Sequence, residues 1–395
     1  MKLLDRDRIL QRFYPPDGCN KTFDSKPSNI ALTNPNSELD TLAESANPNV
    51  LVTNEQSKPR STMFNNIQPE QLPILVTGVA GVSGYNAFHH FRKKFGDQVF
   101  GIRREQNWPL KGDGIIGCNI ENADKISEII KRHSIRTVLN CGGSCALKAC
   151  ELDPKMATRV NVEGISVMLK AIASTDVQLV HLSVDLVFSG DGQGNYVETD
   201  EPDPVTVYGK TMVLAERLIR DQRPDSCILR ISLPMGISFN GHAGAIDWIQ
   251  SRFAKQKPAT LYFDEIRTPT YVECLNEVIE EVVAKRITGL YHAGGPTKLS
   301  LYQIAQIVNR VGGYRPELLM GCPRIEAGPI PPRAGNVTLN SQKLKLALGR
   351  EPFVAWPFLQ NHVPTSSNWH QLKKPEGSPE QIQKYLYLRP NGKQE

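Results

Sequence analysis

The chain has no apolar run approaching the roughly 18 residues that a membrane-spanning helix requires. No secretory leader is expected: Met1-Lys2-Leu3-Leu4 runs straight into Asp5, Arg6, Asp7 and Arg8, so no apolar stretch forms there. A soluble, cytoplasmic protein without a membrane partner is the expectation. None of the eight cysteines stands in a Cys-x-x-Cys pair, the spacing that many zinc and dithiol sites use. Cys141, Cys145 and Cys150 are near one another but lack ligand-like spacing, so they are read as small buried thiols and no metal is expected. There is no dense Lys/Arg run, and a net charge of +5 is small for 395 residues, which argues against a nucleic-acid surface.

What is present is a chain long enough for roughly two domains, or for one large α/β domain with extensions. Residues 1–70 are rich in Asn, Ser, Thr, Pro and charged side chains, without a sustained apolar period, and read as a polar extension that is largely disordered. Leu3, Leu4, Ile9, Leu10 and Phe13 would share one side of a short helix, so that stretch is read either as a docking helix or as part of a leader without fixed structure.

From Leu72 the pattern changes. Ile74-Leu75-Val76, 98–102, 137–140, 179–183 and 227–230 read as strands, and the stretches up to Phe95, 126–133, 160–173 and 208–220 read as helices. Strands alternating with helices in this rhythm predict βαβ units and a Rossmann-type, doubly wound parallel sheet over about 71–233. A smaller lobe follows over 234–350, with about 266–293 returning to the sheet. Residues 351–395 form an irregular extension with Trp356, Phe358, Trp369 and Tyr385 as packing anchors.

Gly78-Val79-Ala80-Gly81-Val82-Ser83-Gly84 is a Gly-x-x-Gly-x-x-Gly directly after a strand and at the start of a helix. In that context Gly78 serves the tight turn, Gly81 the close approach of a pyrophosphate, and Gly84 the packing of helix on strand. Val82 and Ser83 belong to the helix N-terminus that would face the phosphates. The second strand ends in Ile102-Arg103-Arg104, where NAD-specific folds usually carry an acidic residue and this chain has none nearby. Arg103 and Arg104 suit a 2′-phosphate, so NADP(H) is preferred, with NAD(H) open.

Several segments together resemble the extended short-chain dehydrogenase/reductase superfamily, in its dTDP-4-dehydrorhamnose reductase branch. That branch includes the regulatory beta subunit of methionine adenosyltransferase. They are Asn161-Val162-Glu163-Gly164, Leu182 to Gly190, Glu198-Thr199-Asp200 with Pro202 and Pro204, Tyr208-Gly209-Lys210-Thr211, Arg267 to Tyr271, and Arg333 with Asn336. The likeness runs from about Ile74 to Leu348. It implies cofactor contacts at Asn119, Ile120, Cys141, Gly142 and Tyr208 besides the loop. It also implies substrate contacts at Ser144, Val184, Asp185 and Arg333.

The family reduces a carbonyl with a Thr or Ser, a Tyr and a Lys. Here Tyr208 is the one catalytic residue kept, with Val184 at the Thr position and Met212 at the Lys position. Lys210 cannot substitute, because two residues on a helix are about 200° apart. Ser183 cannot either, because neighbours on a strand face opposite ways. Ser144, Cys145 and Lys148 could line the pocket instead. Without the ammonium, Tyr208 is expected near the ordinary tyrosine value of about 10. Two functions follow: an NADP(H)-dependent reductase of a sugar nucleotide with an unusual catalytic set, or a non-catalytic regulatory subunit that contacts a protein partner through its extensions. A homodimer is compatible with both.

Overall fold

The computed structural model describes residues 66–241, 243–372 and 386–388. The sequence expectation for residues 1–65, including the segment around Leu3 to Phe13, lies outside the described residues, as does Tyr385.

The centre is a seven-stranded sheet. In chain order its strands are β1 (Ile74–Thr77), β2 (Val99–Arg103), β3 (Ile115–Gly117), β4 (Thr137–Asn140), β5 (Gln178–Val184), β6 (Cys227–Ile231) and β7 (Gly289–Ala293). Across the sheet they run β7-β6-β5-β4-β1-β2-β3, and every pairing is parallel. The fold is therefore the Rossmann-like doubly wound sheet that the strand–helix alternation predicts. β3 is absent from the sequence reading. It has three half-buried residues at the sheet edge, with Gly112 and Gly114 just before it, so it offers no apolar run.

The sheet is sandwiched. Val76, Leu139 and Leu229 pack with Phe88 and Phe91 of α1 (Val82–Phe95) on one face. Leu75, Val138 and Leu179 pack on the other face with Ile126 of α2 (Ala123–Arg132), Met168 of α3 (Gly164–Ile172) and Ile219 of α4 (Val207–Gln222). Alternate side chains thus serve opposite cores, as a strand period of two demands, and burial on both faces explains the near-continuous apolar runs. α5 (Val272–Ala284) covers the first face, with Leu275, Val278, Ile279 and Val282 buried in the same cluster as α1.

Crossovers leave β1 in both directions, to β2 on one side and β4 on the other. Thr77 lies opposite both Ile102 and Asn140, so the loops after these three strands emerge side by side at a topological switch point.

Beyond β6, Ala259–Tyr262 pairs in parallel with Leu319–Cys322, next to helices Ala245–Ala254 and Leu301–Val311. In the C-terminal extension Trp356 is fully buried and donates its indole N–H to the Leu386 carbonyl at 3.1 Å. Trp369 is buried beneath the Arg310 guanidinium, 4.1 Å from its ring, whereas Phe358 is exposed. No helix of the described residues is long and apolar enough to cross a membrane.

Two buried histidines make the fold acid-sensitive. Burial pushes His181 in β5 down to about 4 and His292 in β7 to about 3, from an ordinary 6.5. Both are neutral when folded and gain protons on unfolding. Stability is therefore complete above pH 6.5 and falls as the pH drops toward 4, by at most about 1.4 kcal/mol per pH unit for each histidine. Urea unfolding at pH 7.5 and pH 5 checks this, and His181→Gln is expected to flatten the slope.

Candidate functional site

The site begins at the switch point. Gly78 has φ +69°, and a Cβ there would meet the Cys141 carbonyl oxygen at 2.6 Å. A Cβ on Gly84 would sit 2.3 Å from the Gly78 carbonyl oxygen. The fold itself demands glycine at both positions. Gly81 differs. Its φ of −82° suits any residue, and a Cβ would meet nothing nearer than the Gly78 oxygen at 3.6 Å. Nothing in the fold requires a glycine there, and the open space before the first turn of α1 is what a pyrophosphate would need. Gly81 caps α1, and the N–H groups of Val82, Ser83 and Gly84 in its first turn have no partner within the helix.

Cys141 and Gly142, after β4, close against this loop. The Gly142 N–H donates to Thr77 Oγ1 at 2.9 Å, and the Thr77 hydroxyl donates to Asn140 Oδ1 at 2.6 Å. The two loops are locked by a chain of hydrogen bonds between strands.

At the end of β2, Arg103 is half-buried and folds back, its Nη1 donating to the carbonyls of Arg104 and Glu105 at 3.1 Å each. Arg104 is exposed. The expectation of no nearby acidic residue is corrected. Glu105 opens the turn after the strand and stands about 20 residues past Gly84, the spacing at which a carboxylate receives ribose hydroxyls. Its N–H donates to Asn119 Oδ1 at 3.2 Å. Ile120 turns the other way and packs on Gly164 of α3.

Tyr208 lies in the first turn of α4, a helix fixed by Thr206, whose Oγ1 accepts the Gly209 N–H at 2.9 Å. Burial raises the Tyr208 phenol well above 10, with Cys145, Asp185 and Cys150 adding to the shift and Arg267 opposing it. The expectation of an ordinary value is overturned. The sequence shows Met212 four residues on, but not how deeply the tyrosine is enclosed.

Val184 and Met212 are both buried. They belong to one apolar cluster with Leu186, Val187, Phe188, Val213, Ala334, Val337 and Leu339, against which Tyr208 packs. Neither neighbour replaces them. Lys210 is exposed, and the Ser183 hydroxyl donates to Glu216, itself in a buried pair with Arg230 at 2.7 Å.

Ser144 is held by its N–H on Asn161 Oδ1 at 2.7 Å, and Asn161 Nδ2 donates to Thr211 Oγ1 at 2.8 Å. Asn161 thus ties the loop after β4 to α4. Its place in a π-helical turn, Arg159–Glu163, is what aims it there, and the sequence carries no clear signal of that turn. Cys145 and Lys148 stand exposed beside Ser144.

Asp185 and Arg333 are engaged within the protein. Asp185 is fully buried, accepting from both arms of Arg267 and from the Ser232 hydroxyl at 2.6 Å. Arg267 also approaches Glu265 at 3.5 Å, and Glu265 accepts from Arg333 Nε at 2.7 Å. The Arg333 guanidinium lies 4.8 Å from the centre of the Tyr262 ring. Asn336 donates to the Gln193 carbonyl at 2.7 Å and steadies the turn after β5.

The model of the RmlD substrate binding domain family matches residues 72–357. The dTDP-4-dehydrorhamnose reductase of Salmonella typhimurium is 27% identical over 238 residues, covering 58% of this chain and 78% of that protein. Methionine adenosyltransferase 2 subunit beta of Xenopus laevis is 25% identical over 307 residues, covering 72% and 87%. Among solved structures, the dTDP-4-dehydrorhamnose reductase of Bacillus anthracis in complex with NADP superposes with a TM-score of 0.61 at 19% identity, over 72% of this chain and 95% of that one.

Proposed function

Because the chain belongs to the RmlD substrate binding domain family, we propose that it binds a nicotinamide dinucleotide at the switch point, NADP(H) before NAD(H), without the family's ordinary carbonyl reduction. The observation that carries this is the apolar cluster around Tyr208. Val184 and Met212 sit in it where a hydroxyl and an ammonium would be needed, and the tyrosine is shifted away from acid–base work.

The roles follow from chemistry. Val82, Ser83 and Gly84 offer backbone N–H groups to the pyrophosphate, and Gly78 and Gly84 hold the loop that presents them. Arg103 and Arg104 supply positive charge for a 2′-phosphate. A bound dinucleotide would supply hydride. The chain would supply Tyr208 as proton donor, and without an ammonium at position 212 the contribution of such a donor, normally of order 10²–10⁴, largely disappears. Met212 offers the nicotinamide ribose no donor, which lowers affinity without abolishing it. The Salmonella relative is named a reductase of dTDP-4-dehydrorhamnose, which makes a sugar nucleotide the carbonyl compound to try first. The Xenopus relative is named a subunit of another enzyme, which favours a regulatory use of the bound dinucleotide and a protein partner.

The test is NADPH consumption with a 4-keto sugar nucleotide. The expected result is dinucleotide binding without turnover over hours. Turnover in the usual range of about 1–10³ s⁻¹ would overturn the reading.

Gly81→Ala supplies a sharper check on the binding half. The added methyl has room in the protein. Stability is expected to stay within about 0.5 kcal/mol while dinucleotide affinity falls 10-fold or more. Thermal unfolding and a fluorescence titration on the same sample measure both.

A further inference from the structure

The carboxylate at the end of β2 has a keeper. Glu105 occupies the turn that follows Arg104, and Lys125 reaches it from the first turn of α2 with Nζ 3.0 Å from Oε1. Asn119 contributes Nδ2 at 3.5 Å from the other carboxylate oxygen, besides accepting the Glu105 N–H. Lys125 is well placed to do this because Asn122 caps α2, its side chain accepting the Lys125 N–H at 3.1 Å. Glu105 in turn raises the Lys125 ammonium above its ordinary value by hydrogen bonding.

The end of β2 thus carries two cofactor-selecting chemistries at once. Arg103 and Arg104 suit a 2′-phosphate, while a free Glu105 would suit a ribose diol and repel that phosphate. We propose that Lys125 is a specificity-determining positioning residue that sets the choice between them by holding Glu105 paired and away from the dinucleotide ribose. With the pair closed, the local balance is two arginines against a neutralised carboxylate, and a 2′-phosphate is accepted. With Lys125 removed, the carboxylate keeps only the long Asn119 contact at 3.5 Å and an unneutralised charge, repelling NADPH and receiving the hydroxyls of NADH. Both partners are partly exposed, 38% and 48% at their side chains, so salt weakens the effect. The inference rests on the dinucleotide reading above and adds to it the origin of selectivity.

The test compares NADPH and NADH affinities for the full chain and three variants at low ionic strength. Lys125→Met keeps the aliphatic stem and is expected to reduce the NADPH-over-NADH ratio by about 10-fold. Glu105→Gln is expected to raise the ratio, because the freed ammonium joins the arginines. The discriminating variant is Lys125→Met with Glu105→Gln, which should return the ratio close to that of the native chain. A double variant as poor as Lys125→Met alone would make Lys125 a direct phosphate ligand and overturn the proposal. An unchanged ratio in Lys125→Met would overturn it too. If the native chain binds neither dinucleotide, the underlying reading falls and this inference falls with it. Thermal unfolding of each variant excludes loss of α2 as the cause.

Discussion

Replacing Val184 with Thr and Met212 with Lys together is expected to create reductase activity with NADPH and a 4-keto sugar nucleotide, at about 10²–10⁴ times the native background. The size of the effect comes from the two groups acting as a unit. The new ammonium, one helical turn from Tyr208, lowers the phenol that burial now holds up, and the new hydroxyl gives the substrate oxygen a partner. Each single variant is expected to stay near background, since a donor without its cation or a cation without its substrate contact recovers little.

The change carries a structural cost. Met212 is 3% exposed in an apolar cluster, so a lysine there loses hydration and the protein loses on the order of 2–4 kcal/mol. Saturating NADPH at about 100 times its dissociation constant restores roughly 2.7 kcal/mol. Activity and thermal unfolding, each with and without NADPH, measure both sides. An active native chain, or a folded double variant that binds NADPH and remains inert, contradicts the assignment of positions 184 and 212.

The second large effect lies beneath the site. Arg267→Met is expected to destabilise the fold by about 3–5 kcal/mol, because it strands the buried Asp185 carboxylate rather than because the ion pair is strong. Asp185 loses both guanidinium contacts, and Glu265 is left with Arg333 alone. Adding Asp185→Asn to Arg267→Met removes one stranded charge and is expected to recover part of the loss. Urea unfolding of the native chain and both variants at pH 8 gives the comparison, and a double variant that loses as much as Arg267→Met alone would contradict the account.

These effects also mark what sequence can and cannot carry. The βαβ rhythm and the glycine loop were legible because both are local. Ile74-Leu75-Val76 is an unbroken apolar run buried on both faces, and Gly78 and Gly84 are required by contacts within the same turn. The opposite facing of Ser183 and Val184 was legible for the same reason, since strand alternation alone decides it. Asp185 and Arg333 were not. Their partners lie 82 and 68 residues away in sequence, and nothing near either residue announces a buried chain of charges. The upward shift of Tyr208 likewise depends on how deeply α4 and the loop after β4 enclose it, a tertiary property. Glu105 is visible directly after Arg104, and the reading that no acidic residue stands nearby overlooks it. Only its place in the turn after β2, facing Lys125, shows that this carboxylate is paired.

The central claim is that the glycine loop still holds a dinucleotide although the chemistry beside it is gone. A fluorescence titration of the full chain with NADPH and NADH, run beside Gly81→Ala, tests it most directly. The account predicts micromolar binding, tighter for NADPH, and at least 10-fold weaker binding to an equally stable Gly81→Ala. Absence of binding by the native chain up to millimolar dinucleotide, or equal binding by the two proteins, would contradict it.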